Sequence, residues 1–249
     1  MDLKYFNLLF SLIIFLLVLS SAWLPFSKRK ADNLPHHHDF NFGETIATGI
    51  FLGAAMMHFL PESHALFQSY GIHYPLGYLL AGLSFLFFLW LEHLGKELYQ
   101  HHFSKHAFIL VAWGMLSAHS FFEGSALGLS NDISMLVVLF LAIISHKWAE
   151  GFAIAIQLTK SKLNRQKTYL LFTLYALMTP MGILLGYHYN TPQQSIFSPI
   201  CMAISAGSFL YFGTLHGLER CVLVERCCNL KHFSYVILGF ILMALVASF

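Results

Sequence analysis

The chain has 249 residues, 57% of them hydrophobic and only 10% charged, with a net charge of +2 and a mean hydropathy of +0.64. Soluble domains carry about 25% charged residues, so this composition excludes one and indicates an integral membrane protein. The four cysteines (Cys201, Cys221, Cys227, Cys228) lack a paired CxxC spacing, which argues against a disulfide framework or a zinc ribbon, and no nucleic-acid partner is expected.

Crossing a bilayer as a helix takes about 20 mostly apolar residues. Eight runs reach that length, at 5–26, 45–65, 73–94, 107–130, 133–158, 168–188, 197–219 and 232–249, and they leave no room for a soluble module. They predict an all-α membrane protein of eight transmembrane helices forming one domain over residues 1–249. In span 1, "VLSSA" resembles a signal-peptidase site. The run is long, however, its Lys4 is offset by Asp2, and Lys28, Arg29 and Lys30 close it as they would a stop-transfer helix, so it is expected to be retained.

The loop after span 1 holds "PHHHDF" (His36, His37, His38, Asp39), a His-rich tract of the kind that can bind metal weakly. Span 2 carries His58 and Glu62, and its Pro61 is expected to bend it, a break that membrane helices tolerate where other groups rescue the freed backbone. Around the loop after span 3 lie Glu92, His93, His101, His102 and His106. Any single one of these loop histidines also reads as an ordinary solvated side chain.

Spans 4 and 5 are the most informative. "HSFFEG" (His119 to Gly124) and "HKWAEG" (His146 to Gly151) each set a histidine four residues before a glutamate near mid-span and close with glycine. A carboxylate at the bilayer centre costs several kcal/mol, so such groups face the bundle interior and mark functional sites. Residues i and i+4 share a helix face, and the short "SNDIS" turn is expected to make the two helices antiparallel neighbours. His119, Glu123, His146 and Glu150 should then converge near the midplane. Two imidazoles and two carboxylates suit Zn2+, with Fe2+, Mn2+ and Cd2+ chemically tolerable. One HxxxE alone would serve equally well as a hydrogen-bonded brace between helices; two at one depth on sequential helices favour a metal cage.

Span 6 contains Pro180, expected to bend it as Pro61 bends span 2. Span 7 contains "GSFLYFGTLH" (Gly207 to His216), which echoes "GIFLGAAMMH" (Gly49 to His58) in its glycine, its Phe-Leu and its histidine nine residues on, with Glu62 and Glu219 following. The two spans run in opposite directions, which is the trace an inverted repeat leaves. Such a repeat would relate helices 1–3 to 6–8 around a central helix 4/5 pair. It would place His58 and Glu62 toward the outer mouth and His216 and Glu219 toward the inner one, as relay ligands.

With the N-terminus outside, the connections after spans 1, 3, 5 and 7 are cytoplasmic. They hold Lys28, Arg29, Lys30, Lys96, Lys105, Lys160, Lys162, Arg165, Lys167, Arg220, Arg226 and Lys231, twelve of the 14 basic residues, whereas the other three connections hold none. The positive-inside rule then sets both termini on the extracellular or lumenal side, of the plasma membrane or an organelle membrane.

"HSFFEGSALGL" and "HKWAEGFAIAIQL" resemble the paired fourth and fifth helices of the ZIP family of zinc and iron transporters, whose members have eight spans with both termini outside. "GIFLGAAMMHFLPES" resembles the family's second helix, "TPMGILLGY" its sixth and "SAGSFLYFGTLHGLE" its seventh. The resemblance implies a ZIP-like bundle that is a transporter and not an enzyme. Its substrate would be a divalent metal ion, first of all zinc, moved from the extracellular or lumenal side into the cytosol, with no cofactor. His119, Glu123, His146 and Glu150 match the transport-site ligands, and a homodimer is expected. In the family a cytoplasmic His-rich loop is associated with metal sensing and receipt, which bears on His36, His37, His38, His101, His102 and His106.

Bacterial members that hold two adjacent metals use polar or acidic residues at positions falling here on Ser120, Lys147 and Thr179. Lys147 sets an ammonium where a second divalent ion would sit, so electrostatics favour one bound metal. It also has the option of pairing with Glu150 at i+3, or of snorkelling. Pairing and metal exclusion agree, because a lysine that partly neutralises Glu150 weakens metal retention at a site that must release. The acid usual in the family's seventh helix falls on His216. Two other classes share intramembrane His and Glu: a membrane-embedded zinc hydrolase, which needs an open coordination position and usually a separate base, and a metal sensor that does not transport.

Overall fold

The computed structural model of the protein describes residues 3–28, 41–100, 107–161, 163–190, 196–216 and 230–247. All regular structure among them is helical. In chain order it comprises α1 (Leu3–Ser21), α2 (Trp23–Lys28), α3 (Asn41–Ala54), a π-helical turn at Ala55–Phe59, α4 (Leu60–Ser69), α5 (Leu76–Gln100), α6 (Ala107–Gly128), α7 (Ile133–Lys160), α8 (Arg165–His188), α9 (Phe197–Tyr211), a second π-helical turn at Phe212–His216, and α10 (Leu230–Val246). In hydrocarbon a lone segment satisfies all its backbone N–H and C=O groups only as a helix.

Among the described residues six stretches are long and apolar enough to cross a membrane: Leu3–Ser27, Phe42–Ser69, Leu76–Glu97, Ile133–Lys160, Arg165–His188 and Phe197–Leu215. Leu16, Leu86, Trp90 and Leu170 are each more than half exposed on their outer faces, as lipid-facing side chains are. The protein is an all-helical, multi-pass integral membrane protein.

Polar residues start and stop these helices. Asp132 Oδ2 accepts the Met135 N–H at 3.1 Å ahead of α7, and Asn164 Oδ1 accepts the Lys167 N–H at 2.8 Å ahead of α8. Each cap satisfies one of the backbone donors that a helix N-terminus leaves unpaired. After α4 the chain reverses at Gly71, whose φ of +77° is left-handed backbone that glycine adopts without strain.

Several expectations change. α5 continues to Gln100, past the expected end at residue 94, so Gly95 to Gln100 extend the helix that carries Glu92 and His93. Glu92 is buried there, accepting from the Tyr211 hydroxyl at 2.8 Å and pairing with Lys96 at 2.9 Å. Pro61 stands at the start of α4 directly after the first π turn, where a missing N–H is tolerated. Pro180 lies inside α8, within its Arg165–His188 range.

Helix pairing also departs from chain order. α6 packs far more extensively on α8 than on α7, its neighbour in sequence; α3 packs on α10, α5 on α9, and α1 against α7 and α8. Small residues decide this. Gly124 and Gly128 of α6 meet Gly182 and Gly186 of α8 so closely that a Cβ on Gly124 would run into the Thr179 carbonyl, and one on Gly182 into the Phe121 carbonyl. Such seams are how membrane helices gain contact without a hydrophobic driving force. Gly151, which closes the second motif, abuts Ser21 of α1 instead.

Gly182→Leu should therefore force α6 and α8 apart. Overpacking costs about 1–3 kcal/mol in well-packed cores, and here the obstruction is backbone, so the thermal unfolding midpoint of purified protein in detergent should fall by several degrees. A wild-type midpoint would show that the seam is not formed.

Candidate metal centre

His119 and Glu123 project from α6, and His146 and Glu150 from α7, into one point of the bundle. One ligating atom from each of the four lies within 4.8 Å of the others, and all four side chains are at most 1% exposed. The i, i+4 spacing put each pair on one helix face; the packing of α6 and α7 around a common interior brings the two faces together.

The polar atoms form a closed network. His146 Nε2 meets Glu123 Oε1 at 2.5 Å, and the Ser120 hydroxyl donates to Glu150 Oε1 at 2.5 Å. Lys147 Nζ donates to Glu123 Oε2 at 2.7 Å, to Glu150 Oε2 at 2.7 Å and to Ser120 Oγ at 3.0 Å. Three acceptors saturate the three N–H donors of an ammonium, which is why a lysine 1% exposed is tolerated. Lys147 does not snorkel. Of the two options it takes the pairing with Glu150 and, across the helix interface, pairs with Glu123 as well.

With both histidines neutral, two carboxylates against one ammonium leave the centre negative and attractive to a cation. His119 Nε2 and His146 Nδ1 are buried and have no hydrogen-bond partner among the described residues. Buried polar atoms are rarely left unpaired without a role. Thr179 is also buried, with its hydroxyl unpartnered there, beside the α6 seam. The donor set can therefore hold a divalent cation of the zinc type through two imidazole nitrogens and two carboxylates.

Residues 5–109 and 104–247, nearly the whole chain, match the profile described as ZIP Zinc transporter. The chain belongs to the ZIP zinc transporter family. Similar proteins include Zinc transporter ZIP2 of Mus musculus, 28% identical over 272 residues covering 85% of this chain and 86% of that protein. Zinc transporter ZIP2 of Homo sapiens is 26% identical, with 81% of this chain and 83% of that protein covered. Zinc transporter ZIP1 of Takifugu rubripes is 32% identical over a shorter stretch, 52% of this chain and 43% of that protein. The family is one of transporters and not of enzymes.

In this ZIP protein the structure adds residues that the motifs did not reveal. Phe209 of α9 stacks on the His119 ring at 3.8 Å between centroids and meets His146 edge-on at 5.0 Å, while Phe59 meets the two rings at 6.2 and 5.6 Å. Tyr175 of α8 lies under Lys147, its ring centroid 5.9 Å from Nζ. Ser208 bonds His119 Nδ1 at 2.6 Å. Phe209 and Ser208 stand inside "GSFLYFGTLH", the stretch that carries both the repeat pattern and the resemblance to the family's seventh helix.

Of the pathway candidates, His58 and Glu62 form a pair at 2.7 Å, with His58 buried and Glu62 partly exposed. Both line a cleft of about 660 Å3 bounded by α7 at Ala142 and Ser145 and by α10 at Met243. His216 ends the second π turn. Glu219 lies outside the described residues, as do His36, His37, His38, His101, His102 and His106.

Proposed function

We propose that this ZIP protein carries zinc from the extracellular or lumenal side into the cytosol, and that His119, Glu123, His146 and Glu150 are its midplane transport site. The convergence of four ligating atoms in a buried, net-negative pocket carries the reading. Zinc is the substrate indicated by the names of the relatives; Fe2+, Mn2+ and Cd2+ remain chemically compatible with the same donors. Lys147 already occupies the position beside both glutamates that a second ion would need, so the site holds one ion. Ser120 and Thr179 do not form a second metal site in this reading. Ser120 is a hydrogen-bonding partner of Lys147 and Glu150.

The reading includes eight spans, formed by α1 with α2, α3 with α4, and then each of α5 to α10, with both termini outside and an inverted repeat. The contact pattern supports the repeat. Exchanging span 1 for 6, 2 for 7, 3 for 8 and 4 for 5 carries the α6–α8 contact onto α7–α1 and the α3–α10 contact onto α9–α5. It also carries Gly124 against α8 onto Gly151 against α1. The two π turns, at Ala55–Phe59 and Phe212–His216, fall within one residue of each other in the Gly49/Gly207 register. π turns of this kind recur at functional sites. Under this arrangement the cleft at His58 and Glu62 opens on the outer half and feeds the cage, with His216 and Glu219 toward the inner mouth. A homodimer is part of the proposal.

Purified protein in liposomes containing a trapped zinc indicator should show zinc entry that depends on the protein. No flux, or amide or ester cleavage in its place, would overturn the transport reading. The outer relay has its own test. Glu62→Gln should lower the uptake rate about tenfold, the scale at which groups next to a metal ligand act, while zinc bound per protein stays at one. Loss of the bound ion itself would move Glu62 into the cage.

A further inference from the structure

The two cage imidazoles are held in different ways. His146 is bonded through Nε2 to Glu123, a fellow member of the cage, and its Nδ1 has no partner among the described residues. His119 is bonded through Nδ1 to Ser208, a residue of α9 outside the cage, and its Nε2 is the unpartnered atom.

The serine's own hydrogen bonds decide what this means. A hydroxyl has one proton to donate. Ser208 Oγ stands 2.7 Å from the Ser205 carbonyl oxygen, which only accepts, so the hydroxyl proton is directed there. Toward His119 Nδ1, at 2.6 Å, the same oxygen can then act only as an acceptor. Nδ1 must supply the hydrogen. A neutral imidazole carries a single N–H, so Nε2 is left with its lone pair bare. The reverse arrangement would strand a fully buried Nε2–H donor with no acceptor at hydrogen-bond distance among the described residues.

We infer that Ser208 is a positioning residue that locks His119 in its Nδ1–H tautomer and thereby makes Nε2 the metal-ligating atom; the inference rests on the reading of the cage as the transport site. Phe209, the next residue on α9, holds the plane of the same ring by stacking at 3.8 Å and 28°. One turn of α9 thus sets both the proton position and the orientation of a ligand carried by α6. The remaining nitrogen of a metal-bound histidine is ordinarily fixed by such an outer partner.

A consequence for the order of binding follows. His119 presents its lone pair before any ion arrives. His146 must first exchange its contact with Glu123, so an incoming ion meets His119 as the prepared ligand and His146 as the one that rearranges.

The test uses the full chain in lipid bilayers, labelled with 15N-histidine, at a pH where imidazole is neutral and with zinc chelated. Ring-nitrogen spectra should show the Nδ1–H tautomer for His119, identified by its loss in His119→Ala. Ser208→Ala should give a mixture of the two tautomers and raise the zinc KM for uptake about tenfold, with the maximal rate changed by no more than about twofold. Ser208→Thr keeps the hydroxyl and should restore both the single tautomer and the KM. A wild-type spectrum dominated by Nε2–H would overturn the inference without any variant. So would a folded Ser208→Ala with wild-type tautomer and KM, or a folded Ser208→Thr that fails to rescue. His119→Ala separates the two claims. If it leaves uptake intact, the cage reading fails; if it abolishes uptake while Ser208→Ala changes nothing, only the role of Ser208 fails.

Discussion

Glu123→Ala abolishes zinc uptake in the expected result, and it does so more completely than loss of one ligand among four would suggest. Glu123 is the group to which both His146, at 2.5 Å, and Lys147, at 2.7 Å, are bonded from the neighbouring helix. Its removal takes away a ligand, frees a second, and leaves Lys147 to Glu150 and Ser120 alone. Even groups behind a ligand are worth 10- to 100-fold in metal affinity, so loss of Glu123 should exceed about 100-fold in uptake. Breaking a buried ion pair from one side also costs about 3–5 kcal/mol of stability. Glu123→Gln separates the two effects, since it keeps the shape and one acceptor but not the charge. It should fold better than the alanine variant and transport no better. Radioactive zinc uptake, normalised to folded protein in the membrane, measures both. Uptake by Glu123→Ala within a few-fold of wild type would remove the cage from the mechanism.

Lys147→Met is expected to act in the opposite sense on metal binding and stability. Without the ammonium, Glu123 and Glu150 face each other in a site closed to water, with no cation between them. In chelator the variant should therefore lose about 3–5 kcal/mol relative to wild type, the usual consequence of leaving buried charge uncompensated. Zinc should restore most of it, because the ion supplies the missing positive charge and because any ligand that binds only the folded state stabilises it, by about 2.7 kcal/mol at a hundred times its Kd. The observable is the rise in unfolding midpoint between chelator and saturating zinc, which should be larger in Lys147→Met than in wild type. Zinc affinity should rise as well, and release on the cytosolic side should slow. An unfolding midpoint in chelator equal to that of wild type would show that Lys147 is not the counter-ion of the two glutamates.

Together these two outcomes describe a site tuned for exchange. In the proposed transport site the ammonium would hold the carboxylates in place before an ion arrives and then compete with that ion for the same oxygens. A conducting site must bind strongly enough to admit the ion and weakly enough to let it leave. The proposed site would meet that requirement with its own lysine.

Much of the arrangement is local and so was legible in the chain. Hydropathy runs and the alternation of basic loops report on solvent, which acts on each segment separately. The pairs His119 with Glu123 and His146 with Glu150 follow from helix geometry, which ties residues four apart to one face whatever the surrounding fold. The i, i+3 pairing of Lys147 with Glu150 was legible for the same reason. The end of α5 was not. Hydropathy falls where the membrane ends, but a helix continues into water as long as its backbone bonds do, and Gly95 to Gln100 remain helical.

Whatever depended on two distant segments meeting was decided only by tertiary structure. That Lys147 also bonds Glu123, 24 positions away, follows from how α6 and α7 pack. That α6 prefers α8 to its neighbour in sequence depends on glycines interlocking at both backbones, a fit that composition does not encode. Ser208, Phe209, Phe59 and Tyr175 gather around the cage as ordinary serine and aromatic residues of apolar helices, without spacing or charge to distinguish them. The sequence by itself determined the solvent, the helices and the four polar groups, two imidazoles and two carboxylates, that must face inward, because each is set within a few turns of chain. Which hydrogen bonds orient those groups, and which nitrogen of His119 is left unpartnered, depended on helices far apart in sequence being packed against one another.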